Sequence, residues 1–351
     1  MKFGLLQIFQ NFRSQVSDER LWQEELELAL LAEDLGFDSV WVVEHHSNDY
    51  SACPDNLQYL SYLAGRTERI QLATGAVIVP WNDPLRVAEK VSVLDQLSGG
   101  RAHLGLGRGL ARREYKNFGI DMDTSRERFD EAAAMILDAL DTGFIEGDGP
   151  YYPQARTEIR PRPSRGFRDR LTCIAMSPDS VDAAARLGGA MAVFSQTPWE
   201  IMAEELERWR GMYREQHGGE PPRPVTADIA VCHADLASAA QLAERHVVGY
   251  LATVLEHYEL MGEHFKRAKG YEMYATAGEM MREIGLETIK EQYLDVQAWG
   301  DPAQVIDRLH ARHELIGDFD LNMCFRHAGI PLEDAANGMK LFAEKVIPEF
   351  S

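Results

Sequence analysis

The chain has 351 residues, of which 45% are hydrophobic and 26% are charged, and its formal net charge is −20. This is the composition of an ordinary globular protein with a large core, and the negative charge argues against nucleic acid or an anionic membrane as a partner. The four cysteines lie far apart without a C-x-x-C pair, and no segment approaches the roughly 18 uncharged apolar residues of a membrane span, so we expect a cytoplasmic protein without disulfides or a zinc site.

Apolar runs of strand length alternate with amphipathic helical patterns through the first half of the chain. Strands are predicted at residues 1–9, 39–43, 70–79 and 102–106, and helices at 18–35, 57–65, 85–97 and 125–140. Ser17 and Thr124 are the expected caps of the first and last of these helices, and Gly36 is the expected stop of the first. An apolar strand, a helix and a second apolar strand within about 35 residues are typical of a βαβ unit with parallel strands.

The second half continues the alternation, with strands predicted at 171–175, 190–194, 225–232 and 319–325 and helices after each of them. Two segments interrupt the pattern. Residues 144–165 resemble a hairpin insertion, and residues 259–296 have only broken periodicity, which is typical of a lid or flexible loop. Eight strands alternating with helices predict a single (β/α)8 TIM barrel over residues 1–351 with these two insertions.

The active site of such a barrel gathers residues from the carboxyl ends of its strands. Those ends carry Gln10, Asn11, Glu44, His45, His46, Gly75, Arg108, Ser177, Gln196, His233, Arg326 and His327. Neighbouring histidines at a strand end point apart, so we expect one of His45 and His46 to face the pocket. His45 is the candidate general base or proton relay, because an imidazole changes charge near neutral pH; the alternative is a structural hydrogen-bonding histidine.

Arg108 stands between two glycines at the end of the fourth predicted strand. A fixed cation beside backbone that can approach an anion closely suits a phosphate, whereas the alternative is a glycine turn with an arginine in solvent. The segment 177–179 opens a helix after the fifth strand, and its amino end is a second anion site that favours the phosphate interpretation.

Two other motifs are rejected. The glycines at 105, 107 and 109 do not form a dinucleotide fingerprint, because Leu110 stands where the pattern needs glycine. His310 and His313 lie on a helix without a nearby carboxylate motif, so a solvated face is favoured over a metal site.

Several motifs in order resemble the bacterial luciferase family. They occupy residues 1–4, 36–46, 74–80, 94–101, 107–110 and 118–122, and thinner matches follow at Ser177, 269–271 and 339–342. The resemblance implies a two-component FMN-dependent monooxygenase. A separate flavin reductase supplies reduced FMN, which reacts with O2 to give a C4a-hydroperoxide that oxygenates a small organic substrate.

The resemblance also assigns residues. It implies that His45 is catalytic, that no metal takes part, and that Gly75-Ala76 is a non-proline cis peptide beneath the flavin. The implied cofactor-binding residues are Glu44, Gly75, Ala76, Gly107, Arg108, Leu110, Met176, Ser177 and Ser180. Gly107 replaces the reactive cysteine of luciferase itself, so light emission is not expected.

The remaining expectations concern the substrate, the lid and the assembly. Pocket side chains are predicted to favour an apolar or aromatic substrate and to be Phe9, Asn11, Trp81, Phe194, Gln196, Trp199 and Phe325. The segment 259–296 corresponds to the family's mobile lid, and the helix 85–97 with Glu89 to its dimer helix, which implies a homodimer. Two alternatives stay open: an F420-dependent oxidoreductase on the same fold, and a flavin-binding protein without turnover.

Overall fold

Eight parallel strands close into a barrel in the computed structural model, which describes residues 1–350. They are β1 Phe3–Gln7, β2 Ser39–Val42, β3 Gln71–Thr74, β4 Ala102–Gly107, β5 Leu171–Ile174, β6 Ala190–Phe194, β7 Val225–Ile229 and β8 Asp320–Cys324. Each strand pairs with its successor in the chain, and β8 also pairs with β1, which closes the ring. The predicted TIM barrel is confirmed.

Helices surround the barrel, and most of them bury apolar residues against it. Their bounds are Asp18–Asp34, Asn56–Ala64, Pro84–Leu97, Arg112–Phe118, Ser125–Thr142, Pro178–Leu187, Trp199–His217, Leu236–Leu242, Val248–His257, Glu272–Ile284, Leu286–Val296, Pro302–Ile316 and Leu332–Lys345. Ser17 caps the first by accepting a hydrogen bond from Arg20 N at 3.3 Å, as predicted. Thr124 does not cap its helix, because its hydroxyl donates to Asp121 O instead.

Two predicted strands are shorter than the sequence suggested. The run 70–79 is interrupted after Thr74 by Gly75-Ala76, and Val77–Ile78 then pairs separately with the end of β4. The run 225–232 is likewise split, because Val231–Cys232 leaves the barrel and pairs with Trp299–Gly300. Continuous apolar sequence concealed both breaks, since buried positions are apolar whether or not they lie in the ladder.

The two insertions differ in structure. Strands Phe144–Gly147 and Gln154–Glu158 pair antiparallel as a hairpin. The segment 259–296 is largely helical rather than an irregular loop, since it contains helices Glu272–Ile284 and Leu286–Val296. No helix within residues 1–350 is long and apolar enough to cross a membrane.

The four cysteines are all free and all buried. Burial raises the pKa of Cys173 and of Cys232 to about 12, and it also raises the pKa of Cys53 and Cys324. The thiols are therefore protonated at neutral pH and contribute to the core as small apolar groups.

Candidate functional site

One cavity at the carboxyl ends of the barrel strands brings most of the predicted site together. The space between its lining residues amounts to about 1050 Å³, including the open mouth. The predicted residues that line it are Glu44, His45, Gly75, Ala76, Gly107, Arg108, Leu110, Met176, Ser177, Ser180, Phe194 and Gln196. His46 does not line it, as expected for neighbouring side chains that point apart.

Five of the predicted pocket residues lie elsewhere. Phe9 is fully buried and packs on the rings of Trp22 and Tyr59. Asn11 donates to Val16 O at 2.8 Å. The other three support the surrounding structure. Trp81 donates to Glu44 Oε1, and Trp199 donates to Val296 O. Phe325 packs on the rings of Phe37 and Phe342. A position near a strand end did not reveal which way each side chain turns.

Four residues of the strand-end set also lie outside the cavity. They hold neighbouring segments together instead. Gln10 donates to Thr253 Oγ1 and accepts from Ala328 N. Arg326 pairs with Glu24 and Glu25, and His327 contacts the carbonyl oxygens of Ala230 and His246. His233 sits at the surface, where its Nδ1 accepts from Asp235 N.

Arg108 forms one end of the cavity. Its side chain is buried, its Nη1 donates to Gly270 O at 3.0 Å, and its guanidinium stacks 3.9 Å from the centre of the Tyr271 ring. No carboxylate in residues 1–350 forms an ion pair with it. A buried cation without a counter-ion is a binding position for an anionic group.

Arg126, which the sequence reasoning missed, adds a second cation beside Arg108. Burial lowers its pKa, and the charge of Arg108 lowers it further. Its Nε and Nη2 are buried without a hydrogen-bond partner in the described part of the chain, and Asp130 lies 3.7 Å from Nη1. The residue also occupies the first turn of helix Ser125–Thr142, where the helix dipole disfavours a cation. Only the folded surroundings reveal that two nitrogens of this guanidinium lack hydrogen-bond partners.

The start of helix Pro178–Leu187 lies at the same end of the cavity. The Ser180 hydroxyl accepts from Ser177 N at 2.8 Å, and the two serine hydroxyls lie 2.9 Å apart. Both serines line the cavity. Backbone N–H groups at a helix start favour an anion, so this end suits a phosphate group.

His45 lies deeper in the cavity and is held from both sides. Its Nδ1 is 3.1 Å from Glu114 Oε1, and its Nε2 is 3.3 Å from the Tyr258 hydroxyl. Glu114 is 1% exposed and also accepts from His46 N at 2.7 Å. No strand or helix was predicted for residues 112–118, so Glu114, which lies on a short helix after β4, was not predicted as a site residue.

A cluster of tyrosines continues from His45. The Tyr258 ring packs edge to face on Tyr50 with ring centroids 5.6 Å apart, and the Tyr50 hydroxyl is 2.6 Å from that of Tyr250. Burial raises the pKa of all three phenols well above the usual value, so they are protonated hydrogen-bond donors at neutral pH. His257 stacks on Tyr50 with ring centroids 4.3 Å apart, and burial lowers the pKa of its imidazole to about 2.

His45, Glu114 and His257 are a possible group of metal ligands. One ligand atom from each lies within 4.8 Å of the others, and all three residues are buried. However, Glu114 is already hydrogen-bonded, and His257 Nδ1 has no partner within residues 1–350, whereas a metal-bound histidine normally donates through its other nitrogen. Neither ring nitrogen of His257 is hydrogen-bonded within residues 1–350, so the geometry favours a hydrogen-bonded His45–Glu114 pair, with His257 packed beside it, over a metal centre.

The wall between the two ends of the cavity includes Gly75, Ala76 and Gly107, which have small side chains or none. The Gly75-Ala76 peptide bond is cis, which confirms that prediction. A Cβ on Gly107 would lie only 3.0 Å from Ile78 Cδ1 and 3.4 Å from Ala76 Cβ, so a side chain there would crowd this wall. A planar ring system fits beside such a surface, between an anion site and an imidazole. The donor set and the shape of the cavity fit FMN.

Comparison with known proteins identifies the chain. The sequence pattern described as luciferase-like monooxygenase matches residues 1–318.

The chain belongs to the luciferase-like monooxygenase family.

Two curated relatives illustrate the range of this family. The chain is 25% identical over 358 residues to the oxygenase component of flavin-dependent trigonelline monooxygenase from Acinetobacter baylyi, covering 100% of this chain and 96% of that protein. It is 28% identical over 216 residues to the alkanal monooxygenase alpha chain of Photorhabdus laumondii, covering 61% of this chain but only 58% of the relative. The predicted class, a flavin-dependent monooxygenase, is thus confirmed at the level of the family.

Solved structures agree on the fold. The monooxygenase RslO1 from Streptomyces bottropensis superposes with a TM-score of 0.80 at 27% identity, over 100% of both chains. The oxygenating constituent of 3,6-diketocamphane monooxygenase from Pseudomonas putida, solved with FMN, gives 0.78 at 18% identity over 99% of this chain and 98% of that one. An F420-dependent tetrahydromethanopterin reductase from Methanopyrus kandleri gives 0.73 at 19%, over 100% and 99%. The last two likenesses concern the fold alone.

Proposed function

We propose that this protein is the oxygenase component of a two-component FMN-dependent monooxygenase. It takes reduced FMN from a separate flavin reductase, and the reaction converts reduced FMN, O2 and a small organic substrate into FMN, water and the oxygenated product. The observation that carries the proposal is the single cavity in which an unpaired cation and a helix start face one end and His45 faces the other.

Each part of the cavity has a separate task. Arg108, Arg126 and the start of helix Pro178–Leu187 bind the phosphate, and Gly75, Ala76 and Gly107 leave room for the ring. Reduced flavin, when bound, supplies the reaction with O2 and the transfer of one oxygen atom. His45 holds and moves a proton at Nε2, while Glu114 fixes the ring through Nδ1.

The alternative cofactor, F420, is less well supported. F420 carries a longer acidic tail beyond its phosphate, and here Gly270 and Tyr271 lie directly over Arg108. The Tyr271 hydroxyl donates to Gly109 O at 2.9 Å, so the segment covers this end of the cavity in the conformation observed. We infer that the site ends at a phosphate. The other alternative, flavin binding without turnover, leaves the His45–Glu114 pair without a role.

A flavin-binding titration tests the phosphate assignment. We expect Arg108→Met to weaken binding of oxidised FMN roughly 10- to 150-fold, the value of a charge-assisted hydrogen bond of about 1.5–3 kcal/mol, and to leave binding of riboflavin unchanged. Arg86→Met, at an outer position whose side chain is 66% exposed, serves as the control. Equal losses for FMN and riboflavin would contradict the assignment.

A turnover assay tests the reaction. With a supplied flavin reductase, we expect O2 uptake and a substrate mass gain of one oxygen atom. His45→Ala should abolish the mass gain without changing FMN affinity. Reduced F420 should cause no O2 uptake. If the native protein forms no product with the supplied reductase and His45→Ala changes nothing, the binding-only alternative is correct.

We also propose that the segment 259–296 is a mobile lid. Arg112 pairs with Glu259, and Lys269 N donates to Asp123 at 2.9 Å, so the segment is attached at several points around the cavity. Removing residues 263–284 should release hydrogen peroxide in place of product while FMN binding largely remains. Unchanged coupling of O2 uptake to product would refute the role of a lid.

A homodimer is the proposed assembly. Val87, Val91 and Leu94 of helix Pro84–Leu97 are buried in the barrel's own core, so the apolar residues left for a partner are Val93 and Leu97, which are 39% and 58% exposed. Leu97→Glu should shift the size-exclusion mass from dimer to monomer, and a monomeric native protein would refute the proposal.

A further inference from the structure

A second cavity opens at the amino end of the barrel, opposite the proposed flavin site. Every barrel strand contributes to it through residues at or near its start, such as Gly4 of β1, Ser39 of β2, His103 of β4, Thr172 of β5 and Asn322 of β8. The space between its lining residues amounts to about 1520 Å³, including the open mouth. This amino-end cavity shares no lining residue with the flavin cavity.

The Trp41 side chain separates the two cavities. A Cβ on Gly75, in the wall of the flavin cavity, would lie 3.4 Å from Trp41 Cε3. On the other side, Trp41 lines the amino-end cavity and its Nε1 donates to Ser39 Oγ at 2.8 Å. A molecule bound at the amino end would therefore occupy a site of its own.

Asn322 is a buried polar residue without a partner in this cavity. The residue is 5% exposed, and its side-chain amide makes no hydrogen bond within residues 1–350. A Cβ on Gly4 would collide with Asn322 Oδ1, so the glycine leaves the space that the amide occupies. Buried amides are normally hydrogen-bonded, because an unpaired one is costly to desolvate. The amide therefore offers two donors and an acceptor to a molecule in the cavity.

The groups around Asn322 are polar and uncharged. Ser39 Oγ accepts from Trp41, which leaves the hydroxyl proton of Ser39 to donate. His103 Nε2 is 2.7 Å from Thr172 Oγ1, and its Nδ1 makes no hydrogen bond within residues 1–350. Burial and the charge of Lys2 lower the pKa of His103 to about 3, so its imidazole is neutral at pH 7. Hydroxyl groups, which both donate and accept, match such a set better than an apolar body or a buried ion.

Lys2 is the unpaired cation at the mouth of the cavity. It is exposed, and its ammonium forms no ion pair within residues 1–350. The other lining cations are all paired: Arg165 with Asp169, Arg168 with Asp138 and Asp141, Arg170 with Asp95, and Arg223 with Asp318 and Asp320. The remaining lining carboxylate, Glu220, pairs with Arg214. An anionic group at the mouth therefore meets a free cation and no free carboxylate.

We propose that the amino-end cavity binds a small hydroxylated organic anion, whose hydroxyl groups contact Asn322, Ser39 and His103. Its carboxylate or phosphate lies at Lys2. The inference goes beyond the proposed function and does not depend on it, because the two cavities are separate. Bound ligand stabilises the folded state in proportion to RT ln(1 + [L]/Kd), so the stability of the protein should rise with the concentration of the anion.

Four probes with one six-carbon chain test the proposal. They are gluconate, sorbitol 6-phosphate, sorbitol and hexanoate, which separate the role of the hydroxyl groups from that of the charge. Binding is followed by saturation-transfer NMR and by the shift of the urea midpoint, in protein saturated with oxidised FMN so that the other anion site is occupied. We expect at least one hydroxylated anion to bind at least about tenfold more tightly than hexanoate, as for two neutral hydrogen bonds. It should bind roughly 2- to 5-fold more tightly than sorbitol, as for one exposed ion pair.

Two variants separate the two kinds of contact. We expect Lys2→Met to weaken binding of the anion roughly 2- to 5-fold and to leave binding of sorbitol unchanged. Asn322→Leu should weaken binding of both roughly 2- to 12-fold, as for one neutral hydrogen bond. The urea midpoint of the ligand-free protein should not fall in Asn322→Leu, because the amide has no partner to lose. Lys340→Met, at an exposed position on helix Leu332–Lys345, is the control.

Three outcomes would overturn the proposal: neither hydroxylated anion binds, hexanoate or sorbitol binds as tightly as they do, or both variants keep the native affinity. If Asn322→Leu lowers the urea midpoint and leaves affinity unchanged, the amide serves the fold and the proposal is also wrong. Failure of FMN to bind would overturn the proposed function alone, since the same titrations without FMN still test the amino-end cavity.

Discussion

Replacing Arg126 should change stability and flavin affinity in opposite directions. In Arg126→Met, two buried nitrogens without hydrogen-bond partners disappear, and each such group costs about 1–3 kcal/mol. The lost ion pair with Asp130 spans 3.7 Å near the surface and contributes less than about 1 kcal/mol. Two such groups together cost about 2–6 kcal/mol, so we expect the free energy of unfolding of the flavin-free protein to rise by at least about 1 kcal/mol.

The same substitution removes a cation from the proposed phosphate site. Affinity for FMN should fall roughly 10- to 100-fold, by the value of a hydrogen bond to a charged group. Because bound ligand stabilises the folded state in proportion to RT ln(1 + [L]/Kd), the variant should be more stable than the native protein without FMN but gain less from it. Urea unfolding followed by circular dichroism, with and without FMN, measures both effects.

Arg128→Met is the matched control. Arg128 lies on the same helix, and it already donates to Thr124 Oγ1 at 3.0 Å and stacks on Tyr151. Its loss should lower stability slightly and leave FMN affinity unchanged. If Arg126→Met lowers the unfolding free energy by more than about 1 kcal/mol and does not alter FMN affinity, the guanidinium serves the fold and the reasoning is wrong.

Three further predictions concern buried histidines and the carboxylate that pairs with one of them. Glu114→Gln keeps an acceptor for His45 and for His46 N but removes the charge, which weakens these hydrogen bonds by about 1 kcal/mol. Product formation should therefore fall roughly fivefold while FMN affinity is unchanged. Turnover equal to that of the native protein would contradict the positioning role of Glu114. Burial lowers the pKa of His103 on strand β4 to about 3, so the unfolded chain, with a histidine pKa near 6.5, takes up the proton first as the pH falls. The native protein should therefore lose about 2 kcal/mol of unfolding free energy between neutral pH and pH 5, and continue to lose stability towards pH 3. Urea unfolding at the two pH values should show that His103→Gln loses about 2 kcal/mol less than the native protein. Dialysis against EDTA should leave FMN-dependent turnover intact, whereas a loss that Zn²⁺ restores would show that His45, Glu114 and His257 hold a metal.

The barrel could be predicted because its signal is local. Each strand is an apolar run and each helix a periodic stripe with its own start and stop signals, such as Ser17, so the alternation is visible without long-range contacts. The breaks at Gly75-Ala76 and after Ile229 were not visible, because they depend on which neighbouring strand offers a hydrogen bond. The helices within 259–296 were missed because Gly270, Gly278 and Gly285 and many charged residues interrupt the pattern there, although both helices are amphipathic.

The site was predicted unevenly for a related reason. Arg108 and His45 follow strands directly, so topology alone places them at the mouth of the barrel. Glu114 and Tyr258 enter from helices whose orientation depends on packing, and nothing in their sequence surroundings indicates a common target. Phe9 and Phe325 show the opposite error, since aromatic residues near strand ends can turn into the core as readily as into the cavity.

The burial of all four cysteines bears on the chemical environment that an oxygen-using enzyme creates for itself. Turnover that fails to reach a substrate releases hydrogen peroxide, which attacks thiolates and not thiols. Because burial raises the pKa of Cys173 and Cys232 to about 12 and the other two cysteines are buried as deeply, the chain offers its own by-product almost no thiolate. Damage during uncoupled turnover should therefore begin at exposed methionines such as Met280, on the segment proposed as a lid.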